Sequence, residues 1–231
     1  MKNLLTTNDY NSLETVDFTR VVYDKTDDLI YIQTPSLYNF VDLGLSVNWA
    51  TCNVGASKPE EYGLYFAWGE TEGYSGLTDT KKFKWTDYKF TIDASSSNFS
   101  KYNSTDGKTT LEQVDDAAYV SDNTLRMPTT VECQELISNT TSAWTSVNGV
   151  NGIQLISKKD TSKSIFIPAA GDVSNGSLNS VGSFGYIWSS SNISSGPRNA
   201  NYMLFYSDSV YMFYNNRCFG YSVRPVKEKT E

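Results

Sequence analysis

The sequence predicts a β-rich α+β domain with few helices, on three observations. Aromatic residues make up 14% of the 231 residues, with 16 Tyr, 11 Phe and 5 Trp set among many Ser, Thr and Asn. Such a mixture suits a pleated, half-buried surface better than a helical bundle. From residue 143 onward, short apolar/polar alternations bounded by Gly, Pro, Asn and Asp recur, which is the pattern of half-buried strands. Against these strands, only one segment carries a full helix-start signal. A chain of this length buries roughly 70% of the surface its unfolded form exposes, enough for a sizeable core.

Residues 1–37 stand apart as a polar stretch holding one hairpin signal. Val21-Val22-Tyr23 and Leu29-Ile30-Tyr31-Ile32 flank the turn Asp24-Lys25-Thr26-Asp27-Asp28, and Pro35 punctuates the chain after them. A two-stranded hairpin alone is marginal in water. The segment is therefore expected to act as an attachment or oligomerisation arm that packs on the main domain, 38–231, or on another chain.

Within the main domain, 40–71 is dense in aromatics and glycines and reads as short buried strands around a tight turn, with Pro59 able to open a helical turn. Residues 73–123 read as a long, polar, loop-rich insertion containing the Asp106-Gly107 turn. Thr129 with Glu132 three residues later fits a capping box, so a short helix is expected over 128–137 with Val131, Leu136 and Ile137 on its apolar face. Ile153-Gln154-Leu155-Ile156 and Ser164-Ile165-Phe166-Ile167-Pro168 read as a hairpin around Lys158-Lys159-Asp160. A glycine- and serine-rich loop is expected over 171–185. Strands follow at 186–190, at 202–206 and 210–214 joined through Ser207-Asp208-Ser209, and finally at 221–226.

Composition excludes several functions. The net charge of −7 argues against binding nucleic acid by phosphate neutralisation. With no histidine, the Ser-His-Asp and Cys-His dyads, the His-based zinc sites and the commonest general base near neutral pH are all absent. Cys52, Cys133 and Cys218 are odd in number and form no CxxC pair, so they are expected to be buried thiols. Asp115-Asp116 with Glu112 matches no EF-hand and reads as solvated acids. No apolar h-region follows Met1 and no run is long enough to insert in a membrane, the pattern expected of a chain made and kept soluble. Neither a cofactor nor a metal is expected.

A resemblance joins these readings. Val41-Asp42-Leu43-Gly44-Leu45-Ser46-Val47-Asn48-Trp49-Ala50-Thr51-Cys52-Asn53-Val54-Gly55-Ala56 and Tyr65-Phe66-Ala67-Trp68-Gly69-Glu70-Thr71 are similar to motifs of the Fibrobacter succinogenes major paralogous domain family, abundant in Bacteroidetes. Arg126-Met127-Pro128-Thr129, Ile165-Phe166-Ile167-Pro168-Ala169-Ala170-Gly171, Trp188-Ser189-Ser190 and Gly220-Tyr221-Ser222-Val223-Arg224-Pro225-Val226 follow in that family's order, so the resemblance spans about 40–227. It implies a C-type lectin-like domain: a twisted antiparallel sheet, few short helices, long loops and chain ends close together. That fold is shared with formylglycine-generating enzymes and the variable proteins of diversity-generating retroelements. The copper-binding cysteine pair of the former is missing here, as are the Glu-Pro-Asn and Trp-Asn-Asp arrangements of calcium lectins. Non-metal sugar binding stays open.

The sharpest functional signal lies in 186–221, where six Tyr, five Asn and seven Ser fill half of 36 residues. Tyr supplies contact area at low entropic cost, and Ser and Asn supply adaptable hydrogen bonds, as in antibody paratopes. Strand alternation puts Tyr202, Leu204 and Tyr206 on one face and Met203 and Phe205 on the other, and it sets Tyr211 and Phe213 against Val210, Met212 and Tyr214. The family pattern fits Met203, Phe205 and Val210 inward. Tyr202, Tyr206, Tyr211 and Phe213 then become a candidate exposed aromatic face beside Asn201, Asp208, Asn215, Asn216 and Arg217. Trp49, Trp68 and Trp188 are expected in the core, and Glu70 and Arg224 are expected to pair with each other or with backbone groups.

The function expected from this is non-enzymatic binding: a bacteriophage virion protein, on head or tail fibre, engaging a host-surface glycan or protein through that face. The arm would hold other virion proteins or a homo-oligomer. The absent secretion signal motivates the virion setting over the alternatives, which are a Bacteroidetes cell-surface adhesin and a purely structural capsid decoration protein.

Overall fold

In this computed structural model, residues 2–4, 21–24, 29–33, 38–76, 81–193 and 196–229 are described. The chain divides into two compact units, Met1–Leu37 and Tyr38–Glu231. In the first, the two apolar runs form strands β2 (Val21–Asp24) and β3 (Leu29–Gln33), with Val21 opposite Ile32. A third strand, β1 (Lys2–Leu4), adds to the other side of β3, so the expected hairpin is part of an antiparallel sheet ordered β1-β3-β2. Lys2-Asn3-Leu4 carries no alternation that could have announced it. The turn residues 25–28 and Pro35 lie outside the described residues.

The second unit is α+β, mostly antiparallel sheet with two α-helices among its described residues. It begins with the short strands β4 (Phe40–Val41), β5 (Val47–Ala50) and β6 (Tyr65–Phe66). Between 81 and 126 the chain is irregular, with 3-10 turns at Trp85–Asp87 and Gln113–Asp115 and the five-residue helix α1 (Ala117–Ser121). Helix α2 (Thr130–Asn139) starts at the predicted capping box: the Thr129 hydroxyl accepts from the Glu132 N–H while Glu132 accepts from the Thr129 N–H. Its buried positions are Cys133 and Leu136, whereas Val131, expected on the apolar face, is exposed.

Strands β7 (Thr140–Val147), β8 (Val150–Ser157) and β9 (Ser164–Pro168) form a three-stranded antiparallel sheet. Asn148 and Gly149 join the first two with φ of 49° and 82°, the left-handed pair that lets a two-residue hairpin match strand twist. The expected loop over 171–185 contains a further small hairpin, β10 (Asp172–Ser174) with β11 (Ser177–Asn179). Then come β12 (Gly185–Asn192), β13 (Asn199–Tyr206), β14 (Ser209–Asn216), β15 (Tyr221–Ser222) and β16 (Val226–Glu228). The single last strand expected over 221–226 is thus broken in two, because 223–225 leaves one sheet for another. The central sheet runs β14-β13-β12-β15-β6, antiparallel except between β12 and β15, and β16-β5-β4 brings the two ends of this unit side by side.

Two apolar clusters sandwich the central sheet. One face packs Ile187, Met203 and Phe205 with Leu136 of α2 and Ile153, Leu155, Ile165 and Ile167 of β8 and β9. The other packs Trp188, Tyr202, Leu204 and Tyr221 with Trp68, Phe83, Tyr88, Phe90, Phe99 and Tyr102. Five of these, Phe83, Tyr88, Phe90, Phe99 and Tyr102, come from 73–123, so the expected polar insertion is in fact a wall of the core. Each large apolar side chain so buried contributes on the order of 1.5–3 kcal/mol.

Trp49, Trp68 and Trp188 are fully buried, as read from the sequence, and the three cysteines are buried free thiols. Glu70 and Arg224 do not meet. Glu70 pairs with the Lys81 ammonium and accepts from the Lys89 N–H at 2.8 Å, while Arg224 donates to the carbonyls of Ala50 and Phe166, both at 3.1 Å. Burial without a carboxylate partner pulls the Arg224 guanidinium down to about 10.

Candidate functional site

The β13–β14 hairpin forms because two alternating runs are joined by the two-residue loop Ser207-Asp208, and its register runs unbroken from Tyr206–Ser209 to Asn199–Asn216. Directly opposed residues share a face, so Tyr202 and Leu204 lie beside Phe213 and Tyr211, and Met203 and Phe205 lie beside Met212 and Val210. The second set is sealed by α2 and the β8–β9 layer. Phe205 also closes over Gly185, its partner on β12, where an added Cβ would stand 1.9 Å from the ring. Only glycine allows that approach.

On the other face, rings grade from core to solvent. Trp188 meets Tyr221 at 4.3 Å between centroids, Tyr221 meets Tyr202 at 4.8 Å, and Tyr202 meets Phe213 edge-on at 6.2 Å and 86°. Phe213 then contacts Tyr211 at 6.3 Å and stacks on Tyr214 at 5.2 Å and 13°. Edge-to-face and offset pairs of this kind add about 0.5–1.5 kcal/mol each beyond area burial. The Trp188 indole N–H donates to the Phe66 carbonyl at 2.8 Å, which locks the inner end of the series.

The exposed outer end consists of Tyr211 (38%), Phe213 (49%) and Tyr214 (50%). Tyr206 is half-buried against Phe184, with its ring 5.3 Å away, and contacts Tyr211 at 6.3 Å. Desolvation, then the neighbouring Tyr206 hydroxyl, pushes the Tyr211 phenol above its ordinary pKa, so it is neutral and able to donate at physiological pH. Asp208 is exposed at the hairpin tip.

Two expected site residues are corrected. Tyr202 is only 3% exposed, because its ring is enclosed by those of Tyr186 at 5.7 Å, Trp188 at 5.8 Å and Tyr221 at 4.8 Å on the face that alternation alone left open. Arg217 is fully buried: its guanidinium lies 4.1 Å from the Phe99 ring and 5.5 Å from those of Trp68 and Tyr88, and it donates to the Tyr102 carbonyl at 3.0 Å. Burial pulls its pKa down, and its role is to fill the core.

Three asparagines are also engaged in holding the fold. Asn201 donates to the Asn192 carbonyl at 3.1 Å, where the β12–β13 register is irregular. Asn215 donates to the Tyr221 hydroxyl at 2.9 Å, and Asn216 accepts from the Arg198 Nε at 2.8 Å. Sequence reasoning missed Tyr214, which alternation assigns to the inward set with Val210 and Met212. The cover on that face reaches Val210 and Met212 but not Tyr214.

Of the three acids read as solvated, Glu112 is exposed, but Asp115 and Asp116 are not. Asp115 is buried; burial pushes its pKa up, but hydrogen bonds from Lys101, Lys89 at 2.7 Å and the Tyr102 hydroxyl at 2.8 Å outweigh this and hold it below the ordinary value. Asp116 is buried as the N-cap of α1 and accepts from Ala118, Tyr119 and Met127 N–H groups, with burial raising its pKa. Glu112 is taken up by Lys101 and Lys108. Among the described residues no group of three or more His, Cys, Asp or Glu is placed to hold a metal ion.

A cleft of about 360 Å³ lies near α1, lined by Leu111, Tyr119, Arg126, Met127 and Val226. Its Arg126 is fully engaged by Glu132 and Glu228, which leaves no free charge to orient a ligand. Comparison with protein-family models, curated proteins and solved structures gives no match, so the geometry itself must carry the functional reading.

Proposed function

We propose that the chain is a non-enzymatic binding protein of C-type lectin-like build, displayed on a bacteriophage particle, that engages a host-surface glycan or protein through β14. One observation carries the binding reading: Tyr211, Phe213 and Tyr214 stand exposed on an eight-residue strand whose inner neighbours are locked in the core. Aromatic side chains held in place before binding lose little entropy on contact, so each exposed ring contributes more of its burial to affinity. Tyr offers a hydroxyl for a sugar or peptide, and Phe213 offers a flat apolar face. The lectin-like build is supported by the order of the motifs over 40–227 and by the antiparallel, helix-poor, loop-rich architecture. The 1–37 unit would hold the domain to other virion proteins, and repetition on a particle would turn weak single contacts into firm attachment.

Mass spectrometry and immunogold labelling of purified particles test the setting, and competition of host adsorption by the purified chain tests the site. The expected result is stoichiometric labelling on particles, with adsorption blocked by the native chain but not by a Tyr211→Ala, Phe213→Ala, Tyr214→Ala variant that folds normally. Protein found in the bacterial envelope and not on particles would replace this reading with the surface adhesin. Particles that carry the protein but adsorb independently of it would favour a decoration protein.

A further inference from the structure

The two edges of the central sheet are treated differently. At one edge, β6 is two residues long and is closed by Tyr74, which exchanges backbone hydrogen bonds with Tyr65 at 2.8 and 3.0 Å. At the other edge, β14 runs eight residues with no bulge, no proline and no charged side chain. Those are the devices by which edge strands normally resist pairing. Edge strand β7 is also uncharged, but its surface is Thr and Ser and offers no exposed aromatic row.

Register identifies which backbone groups of β14 are open. Because the two-residue loop closes on the hydrogen-bonded pair Tyr206–Ser209, the odd-numbered residues of β14 bond to β13 and the even-numbered ones point away. Asn216 is satisfied locally, its N–H by the Asn215 side chain and its carbonyl by the Phe219 N–H. Val210, Met212 and Tyr214 are left, and no described residue takes up their N–H and carbonyl groups.

We infer that this edge pairs with the same edge of a second copy of the chain, antiparallel about a two-fold axis at Met212. That axis sets Met212 opposite Met212 and Val210 opposite Tyr214 in both directions, so all three open residues of each copy are paired. Tyr211 then faces the partner's Phe213, twice, at the positions where side chains of an antiparallel pair come closest. Aromatic cross-strand pairs are among the favourable ones. The strand's lack of charge selects the occupant: two chains of net charge −7 repel, and an uncharged edge that complements itself in register is where they can meet. The central sheets would join into one, with Tyr211 and Phe213 of both copies on the same side. The pairing uses the strand's edge and needs no ligand, so it stands or falls separately from the receptor reading.

Sedimentation of the full chain across a concentration series, with native protein and Tyr214→Pro, tests the inference. Proline removes one outward N–H per copy and leaves the ladder to β13 intact, so the variant should stay folded, with its melting temperature lowered only by the few degrees that the lost ring contact with Phe213 costs, and lose dimer affinity about tenfold or more. A native chain that stays monomeric, or a dimer that Tyr214→Pro leaves unchanged, would overturn the pairing. The register has its own test, which also decides the matter if the proline variant does not fold. Tyr211→Cys and Phe213→Cys should each give little disulfide dimer alone and a high yield when mixed under oxidation. Opposed residues there stand about 4.5 Å apart between Cα atoms, within the span a disulfide bridges. No enrichment of the mixed disulfide would exclude this register.

Discussion

Strands β13 and β14 are neighbours of equal length with nearly the same alphabet, Asn-Ala-Asn-Tyr-Met-Leu-Phe-Tyr beside Ser-Val-Tyr-Met-Phe-Tyr-Asn-Asn, yet one is core and the other is surface. β13 has a strand on each side and an apolar layer on each face, so Tyr202, Met203, Leu204 and Phe205 are all buried. β14 has one strand beside it and cover over only part of one face, reaching Val210 and Met212, which leaves Tyr211, Phe213 and Tyr214 open to solvent. Burial therefore follows the number of neighbours, and a tyrosine is a wedge in one strand and a contact surface in the next.

Substitutions that treat the two strands alike should break the comparison if it is wrong. The largest effect is expected for Tyr202→Ala, a loss of about 3–5 kcal/mol in urea unfolding, as for other buried aromatics. Phe213→Ala, directly opposite it, should cost about 1 kcal/mol, the worth of its edge contact with Tyr202. Equal losses would mean that the two strands are equally packed on that face.

Arg217 tests where the exposed strand ends and the core resumes. Arg217→Ala should cost about 3 kcal/mol, since it opens a cavity among three rings and leaves the Tyr102 carbonyl without its donor. Arg217→Met, which refills the volume and removes a poorly compensated buried charge, should recover at least half of that loss, with ligand binding unchanged. A folded Arg217→Met protein that loses binding would return Arg217 to the site.

The smallest effect sharpens the boundary between the buried and open rings. Tyr221→Phe removes the acceptor of the Asn215 amide and should lower stability by about 1 kcal/mol, read as a shift of a few degrees in thermal unfolding.

Much of the frame was legible in local pattern. The capping box placed α2, alternation and a short polar loop placed β13 and β14, and the apolar settings of the three tryptophans placed them inside. β7 escaped because its Thr and Ser pattern gives no apolar alternation; it exists through pairing with β8. The aromatics of 73–123 were scattered at no helical or strand period, so nothing in the sequence marked them as a core wall. Asp115 and Asp116 looked like surface acids because the lysines and N–H groups that hold them come from other parts of the chain or from turn geometry.

For the candidate site, strand alternation by itself sorted Met203, Phe205 and Val210 from Tyr211 and Phe213, since side-chain direction is a property of the local backbone. Which of the two faces met solvent, and for how much of its length, was decided only by tertiary structure. The cover over Arg217 is supplied by Phe99 and Tyr102, more than a hundred positions away, that over Tyr202 by rings of the neighbouring strands β12 and β15, and the gap over Tyr214 is where, among the described residues, the apolar layer that reaches Val210 and Met212 stops. Local sequence sets which way a side chain points, and the fold decides what it meets there.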